Sequence, residues 1–477
     1  MDAVVVVAYF VLMLAVGGWA AHRARTQDEF LVAGRRLGHT MYFGTLSAVV
    51  LGGASTIGGV GLGYSYGLSG AALVVILGLG IVGLSTLVAG RLTRLGVYTV
   101  SEMLELRYNA SARVLTAGVM TAYDLMLTVT STIAVGTVFD VLLGVPPVSA
   151  VAVGGGIVLA YSVLGGMWSV TLTDIVQFAI MTVGVFFVLL PVGLVQAGGP
   201  SGLTEELPDS YFALGSIGSG TIVTFFLIYF FGILIGQDIW QRVFTARDDK
   251  VARRSGVASG LYCMAYGIAG AVIGMSAKVL LPDLAVPDNA FALLVKEVLP
   301  VGVRGLLLAA ALAAIMSTAS AGLLASATLT SHDLHPRLFR GGPEGVSRTR
   351  LYTLVFGVTS IVIACLVNDV VGALTVAYNI LVGGLLVPIL GGLFWRRATS
   401  AGALSASAVG TVVVIMLMIL QGMLANGPIY WGLLASAITY VAVSLATPPT
   451  PEATLRRWED RLAGRAAEQP TEHAPAP

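Results

Sequence analysis

Runs of eighteen or more apolar residues recur from one end of this chain to the other, and no other feature narrows its fold so far. In hydrocarbon nothing hydrogen-bonds a free backbone N–H or C=O, so each run must cross as a helix that satisfies its own backbone. With 56% hydrophobic and 11% charged residues among 477, the sequence specifies an all-α membrane protein, and its net charge of +1 offers no field for nucleic acid. Cys263 and Cys365 both fall in apolar stretches and read as buried thiols. The first run, 4–21, lacks a basic leader and a small-residue cleavage site, so it reads as a retained helix and not as a signal peptide.

The pattern predicts about thirteen spans, near 3–21, 41–67, 69–93, 112–143, 147–163, 168–196, 218–243, 253–279, 302–332, 347–367, 370–395, 400–422 and 428–446. Of the 26 Lys and Arg, 23 fall in alternate loops and the tail; Lys278, Lys296 and Arg304 are the others. Cytoplasmic loops collect positive charge, which places the N-terminus outside and the C-terminus in the cytoplasm of a cell-membrane protein. The acidic 196–218 loop and the 282–301 loop, with a short amphipathic helix near 290–298, then lie outside. The stretch 447–477 reads as a largely disordered cytoplasmic tail with a short helix at 451–466.

Two spans carry interruptions. Gly52 and Gly53 precede Ser55 and Thr56, and a second weak point falls at 232–236. Glycines of this kind serve close helix packing, or they open a helix at mid-membrane where only a cavity or ion satisfies the freed groups. Two interrupted helices five spans apart point to an inverted repeat with a midplane site. The stretch AAIMSTASAGLLASAT, 313–328, poses the same choice. Its small residues suit packing, while Ser317 and Thr318, beside a carbonyl one turn earlier, offer the oxygen ligands that a hard cation takes.

Buried charge marks further candidates. Asp174 lies about seven residues inside the expected cytoplasmic edge of its helix, where it serves a salt bridge to a loop arginine or an ion. Asp124 lies about eleven residues beyond Arg113, and pairing with an arginine, lining an inner vestibule and proton exchange are all open to it. Gln241 and Arg242 read as loop anchors and inner-gate structure, and the run Arg247–Arg254 as a solvated face. His22, His39, His332, His335 and His473 all fall in cytoplasmic segments, which favours sodium over protons.

The sequence resembles the sodium:solute symporter family, which has the LeuT-type fold. The resemblance rests on DEFLVAGRRLG (28–38), GGMWSVTLTDIVQ (165–177), GQDIWQRVFTARDDKVARRS (236–255), AAIMSTAS (313–320) with SATLTSHDL (326–334), and VPILGGLFWRRATSAGAL (387–404). It implies a leading helix (1–21), inverted five-helix repeats at 41–196 and 218–395, two trailing helices (400–446) and the tail. It also implies Na+ as the coupling ion, held by the carbonyls of Ala48, Leu51 and Ala314 and the hydroxyls of Ser317 and Thr318. A second sodium would use Asp174 with Ser317 and Ser320, although Ala321 replaces a serine found there in some members.

The solute site implied by this fold draws on Gly52, Gly53, Ser55, Thr56, Thr128, Ser131, Tyr229, Phe231, Tyr378 and Asn379. The second core helix has almost no polar side chain before Ser85, so a sugar would leave hydroxyls unpaired at about 1–3 kcal/mol each. Amides exposed beside Gly52–Thr56 suit a carboxylate, which points to a small organic acid or amino-acid-like solute, with a vitamin-type acid or nucleobase derivative as further options. The expected function is sodium-coupled import by a chain that works as a monomer in the bilayer. The alternatives are a transporter-like sensor or a proton-coupled carrier using Asp124. An enzyme is not expected, since no metal-ligand cluster or nucleophile–base pair stands out.

Overall fold

The computed structural model describes residues 2–22, 26–339, 345–367, 369–463 and 465. Among these the chain is helical throughout, and a single parallel bridge between Leu37 and Ala246 stands in place of any sheet. The two predicted interruptions are real breaks. The helix His39–Val50 stops at Leu51 (φ −88°, ψ 51°), and the chain resumes as a π-helical turn, Ala54–Gly58, then Gly59–Tyr66. The hydroxyls of Ser55 and Thr56 donate back to the Val50 and Leu51 carbonyls at 2.7 and 3.4 Å, so the freed acceptors keep partners. In the second break, Ser219–Ile235 ends at Gly236 (ψ 134°) and Gln237–Val243 leaves at 44° to it.

By length and composition, nine helices among the described residues can cross a membrane, or ten with that bent pair counted as one. The difference from thirteen arises in three places. The first apolar helix, Val4–Ala20, is short. The expected spans 41–67 and 69–93 share one long element, Ala54–Leu87. The expected 147–163 and 168–196 run on as Val148–Gln196 with a sharp turn at Gly166. Gly166 has φ +54°, and a Cβ there would sit 2.6 Å from the Phe30 carbonyl oxygen, so the turn requires glycine twice over.

Burial separates hub from rim. The most apolar window of the helix containing Val303–Thr328 is 94% buried, against 22% in Gly345–Ala364 and 28% in Gly427–Ala446, which present side chains such as Val362 and Trp431 outward as lipid-facing helices do. Alanine, serine and glycine along Val303–Thr328 let the helices Ala110–Leu143 and Pro147–Thr182 pack closely on it.

Both ends of this hub are fastened. On the side predicted to be cytoplasmic, Asp333 is fully buried and takes Arg113 at 2.5 Å and the Ser101 hydroxyl at 2.6 Å; Glu105 holds Arg113 and Arg337. Gln241 donates to the Leu31 carbonyl (2.9 Å), which agrees with its reading as an anchor. Arg242 is 1% exposed and inside the bundle, so it anchors no loop by its side chain. Cys263 is buried, whereas Cys365 is only partly so and falls just past the end of the largely exposed helix Gly345–Ala364, not within a helix. The helix Glu452–Leu462 buries Leu455 and Trp458 against the bundle while Arg396 pairs with Glu459, so this part of the tail is folded, as an amphipathic face with a docking surface should be. Residues 466–477 of the expected tail lie outside the described residues.

The other end is covered by the predicted short helix, Ala290–Val298, which packs on the first broken helix and on Ala110–Leu143. Just before it, burial and then the neighbouring charge of Asp369 push the Asp288 carboxyl up to about 6. A folded-state value above the ordinary 3.8 means that folding favours the protonated form. Stability contributed at this position is therefore full at low pH, falls as pH rises from about 4 to about 6, and is level above that. Asp288→Asn is expected to raise the melting temperature at pH 7 and to flatten its dependence between about pH 4 and 6. A variant that melts like the parent across that window would contradict this.

Candidate functional site

The hub helix meets the first break at its polar stretch. Thr318 donates to the Val49 carbonyl at 2.6 Å, where the missing helical bond leaves an acceptor. The approach is close because residue 52 is glycine: a Cβ there would lie 2.2 Å from the Thr318 hydroxyl oxygen. One residue earlier, Ser317 donates to Asp174 at 2.5 Å, and Thr45 donates to the same carboxylate at 2.5 Å. Ala48, Leu51, Ala314, Ser317 and Thr318 are all buried at or near this junction.

Asp174 pairs with Arg242 at 3.3 Å, both side chains essentially unexposed. The salt bridge foreseen for Asp174 thus forms, but with an arginine of the second broken helix and not of a loop. Ser320 donates to the Ser317 carbonyl (3.0 Å), so its hydroxyl is drawn to the helix backbone and Asp174 is met by Ser317. Asp124 departs from the expected arginine pairing. It is fully buried, and neither carboxylate oxygen has a hydrogen-bond partner among the described residues.

Between the two breaks lies a cavity of ≈ 20 Å³, space for about one water, so a solute enters only if the surrounding helices part. Gly52, Gly53, Ser55, Ser131, Thr318 and Tyr378 reach its wall. The other expected contacts do not. Thr56 bonds the Tyr266 hydroxyl (3.0 Å) and Tyr229 bonds Thr375 (3.0 Å). Thr128 is spent on the Asp124 carbonyl (2.9 Å), facing the hub helix. Asn379 donates to the Thr375 carbonyl (2.9 Å), and Phe231 packs edge-to-face with Phe226 and Phe230. A hydroxyl or amide in a membrane helix readily turns to its own i−4 carbonyl, which sequence spacing does not reveal.

Sequence reasoning missed the charged member of the wall. Asp238 is 2% exposed, lines the cavity and accepts from the Tyr123 hydroxyl at 3.1 Å. Its signal was present: an acidic residue two positions after the glycine that breaks the second helix. Leu77, from the aliphatic second core helix, also reaches the wall, in line with the expectation that this helix brings few hydroxyl partners.

Two helices broken at mid-bundle, meeting at a small cavity beside a polar hub helix, define a secondary transporter. Residues 30–410 match the sodium:solute symporter family, and the chain belongs to it. It is a multi-pass membrane protein of a family that couples sodium to solute movement. A sodium/pantothenate symporter of Escherichia coli (strain K12) is 29% identical over 475 residues, covering 94% of this chain and 97% of its own length. An osmoregulated proline transporter of Bacillus subtilis (strain 168) is 27% identical, covering 94% and 95%. Among solved structures, a substrate-bound, outward-open Na+-coupled sialic acid symporter superposes with a TM-score of 0.82 at 19% identity, covering 94% of this chain and 98% of that one. A nucleobase-cation-symport transporter closed around bromovinylhydantoin gives 0.62 at 16% identity, over 91% and 98%. These likenesses establish the LeuT-type, all-helical fold.

Proposed function

We propose that sodium binds where the hub helix meets the first break, held by the carbonyls of Ala48, Leu51 and Ala314 and the hydroxyls of Ser317 and Thr318. The observation that carries this reading is the placement of the Thr318 hydroxyl against the Val49 carbonyl, at the break between the Ala48 and Leu51 carbonyls. Each hydroxyl has one proton and two lone pairs, so Ser317 and Thr318 can keep their present bonds and still face a cation. The donor set is all oxygen and uncharged, which suits a hard monovalent ion. A second ion would sit by Asp174 and Ser320.

In this reading 41–196 and 218–395 are the inverted repeats, with 1–21 leading and 400–446 trailing, the N-terminus outside and the C-terminus in the cytoplasm. Sodium would fasten the hub to the first broken helix and complete the solute cavity; its release into a low-sodium cytoplasm would loosen both. Solute and sodium must then raise each other's affinity by the same factor. The solute belongs to the organic-acid or amino-acid-like range, taken up by a single chain in the cell membrane. Asp124 supports a second reading, proton coupling, because a fully buried carboxylate without partners is cheapest when protonated.

The test is the melting temperature of the purified protein in sodium against potassium at equal ionic strength. Sodium alone is expected to stabilise the parent, and Ser317→Ala or Thr318→Ala to raise the half-saturating sodium concentration by about tenfold or more, equivalent to losing about 1–2 kcal/mol of ligand interaction. Equal melting in the two salts would remove the sodium reading and direct attention to Asp124.

A further inference from the structure

We infer that the solute carries a cationic nitrogen and that Asp238 is its counter-charge. The inference rests on the reading of the cavity between the breaks as the solute site. Asp238 is the one charged side chain on that wall among the described residues; the rest are aliphatic groups, hydroxyls and Tyr378. Its carboxylate receives one side-chain hydrogen bond, from Tyr123, and backbone N–H bonds at the first turn of Gln237–Val243, all from uncharged donors.

The surrounding charge does not balance. Asp124, Asp174 and Asp238 are all buried, and Arg242 is the one basic side chain among the described residues that bonds to any of them. Its guanidinium reaches the carboxylate of Asp174, and toward Asp238 it donates to the backbone carbonyl at 3.1 Å. A carboxylate in a water-poor interior needs a positive partner or a proton. Sodium at the hub and break is held by other residues, and among the described residues no basic side chain bonds to the Asp238 carboxylate. A solute ammonium placed in the cavity supplies that charge.

Two independent features favour the same ligand. Tyr378 lies on the wall, with Tyr123 and Tyr229 in edge-to-face contact with it at 5.2 Å between ring centroids, and an aromatic ring beside the cavity can attract an alkylammonium group. Ser131 is fully buried, lines the cavity and has no hydrogen-bond partner among the described residues, leaving one hydroxyl for a second polar group of the solute. A simple anion is disfavoured here, because its charge would share a small cavity with the Asp238 carboxylate. Within the range proposed above, the amino-acid-like or simple amine solutes remain and the pure organic acids drop out.

The test uses the full-length purified protein in sodium and reads melting shifts against matched compounds: choline and its uncharged carbon isostere 3,3-dimethylbutan-1-ol, proline and cyclopentanecarboxylate, β-alanine and propionate, and pantothenate. At least one nitrogen cation is expected to stabilise the parent while its isostere does not. Asp238→Asn is expected to weaken that ligand by at least about thirtyfold, the scale for stripping a buried charge pair of one partner. Ser131→Ala should weaken it several-fold while preserving the preference for the cation, and it serves alone if the Asp238 variant does not fold. Stabilisation by pantothenate, cyclopentanecarboxylate or propionate in place of the amines overturns the inference. So does a panel in which no nitrogen cation binds, or an Asp238→Asn protein that keeps its amine affinity. Sodium alone, without solute, reports the ion site in the same assay, so the failure of that reading is visible separately.

Discussion

Arg242→Met is expected to destabilise the protein by about 3–5 kcal/mol, visible as a fall of several degrees or more in the melting temperature of the purified protein. The guanidinium is 1% exposed and joins Asp174, itself held by Thr45 and Ser317, to the second broken helix. Removing it leaves Asp174 without a cation in the bundle interior and also frees the Asp238 carbonyl. The double variant Arg242→Met with Asp174→Asn should lose clearly less than the sum of the two single losses, since the uncompensated charge goes with its partner. Strictly additive losses would show that the pair is not coupled and that the contact at 3.3 Å contributes little.

Gly52→Ala should have the larger effect on ion binding. The added methyl would stand 2.2 Å from the Thr318 oxygen and 2.6 Å from its Cβ, inside a helix that cannot retreat because it is packed on every side. Overpacking of this kind costs about 1–3 kcal/mol, and here the strain falls on the hydroxyl proposed to face sodium. We expect the sodium titration of melting temperature to lose its response, with half-saturation displaced by more than about tenfold, and sodium-driven uptake to fall with it. A titration that overlays the parent would mean that Thr318 takes no part in the ion site. The Gly53 position is a useful contrast, since a Cβ there meets Ala134 and not a proposed ligand.

Much of this was legible in the residues. The long apolar runs fixed a membrane-spanning helical bundle, because hydrocarbon leaves no alternative for the backbone. Glycine pairs followed by hydroxyl residues marked the first break, and the short helix Ala290–Val298 was predicted at its true position from amphipathicity alone. The five motifs placed the chain in its family, to which residues 30–410 belong.

What remained hidden depended on rotation and reach, which a linear pattern does not encode. Thr128, Tyr229, Phe231 and Asn379 were plausible cavity residues by position, yet each turns to a neighbouring helix, its own backbone or neighbouring aromatic rings. A helix offers its residues in every direction, and only the packed neighbours decide which face meets the cavity. Asp174 and Arg242 lie 68 positions apart, and Arg113 and Asp333 are separated by 220; long-range pairs between interior charges follow from the fold and leave no local trace. Asp238 stood in plain sight beside a breaking glycine, but that it is the one charged side chain on the wall among the described residues is a property of the assembled bundle. The sequence by itself determined that this chain is a membrane-embedded bundle of helices with two breaks, because long apolar runs must satisfy their own backbone in hydrocarbon, and its motifs carried the resemblance to sodium:solute symporters. The tertiary structure alone decided which oxygens and carboxylates face the space between those breaks, because burial and charge compensation are settled only where distant helices meet.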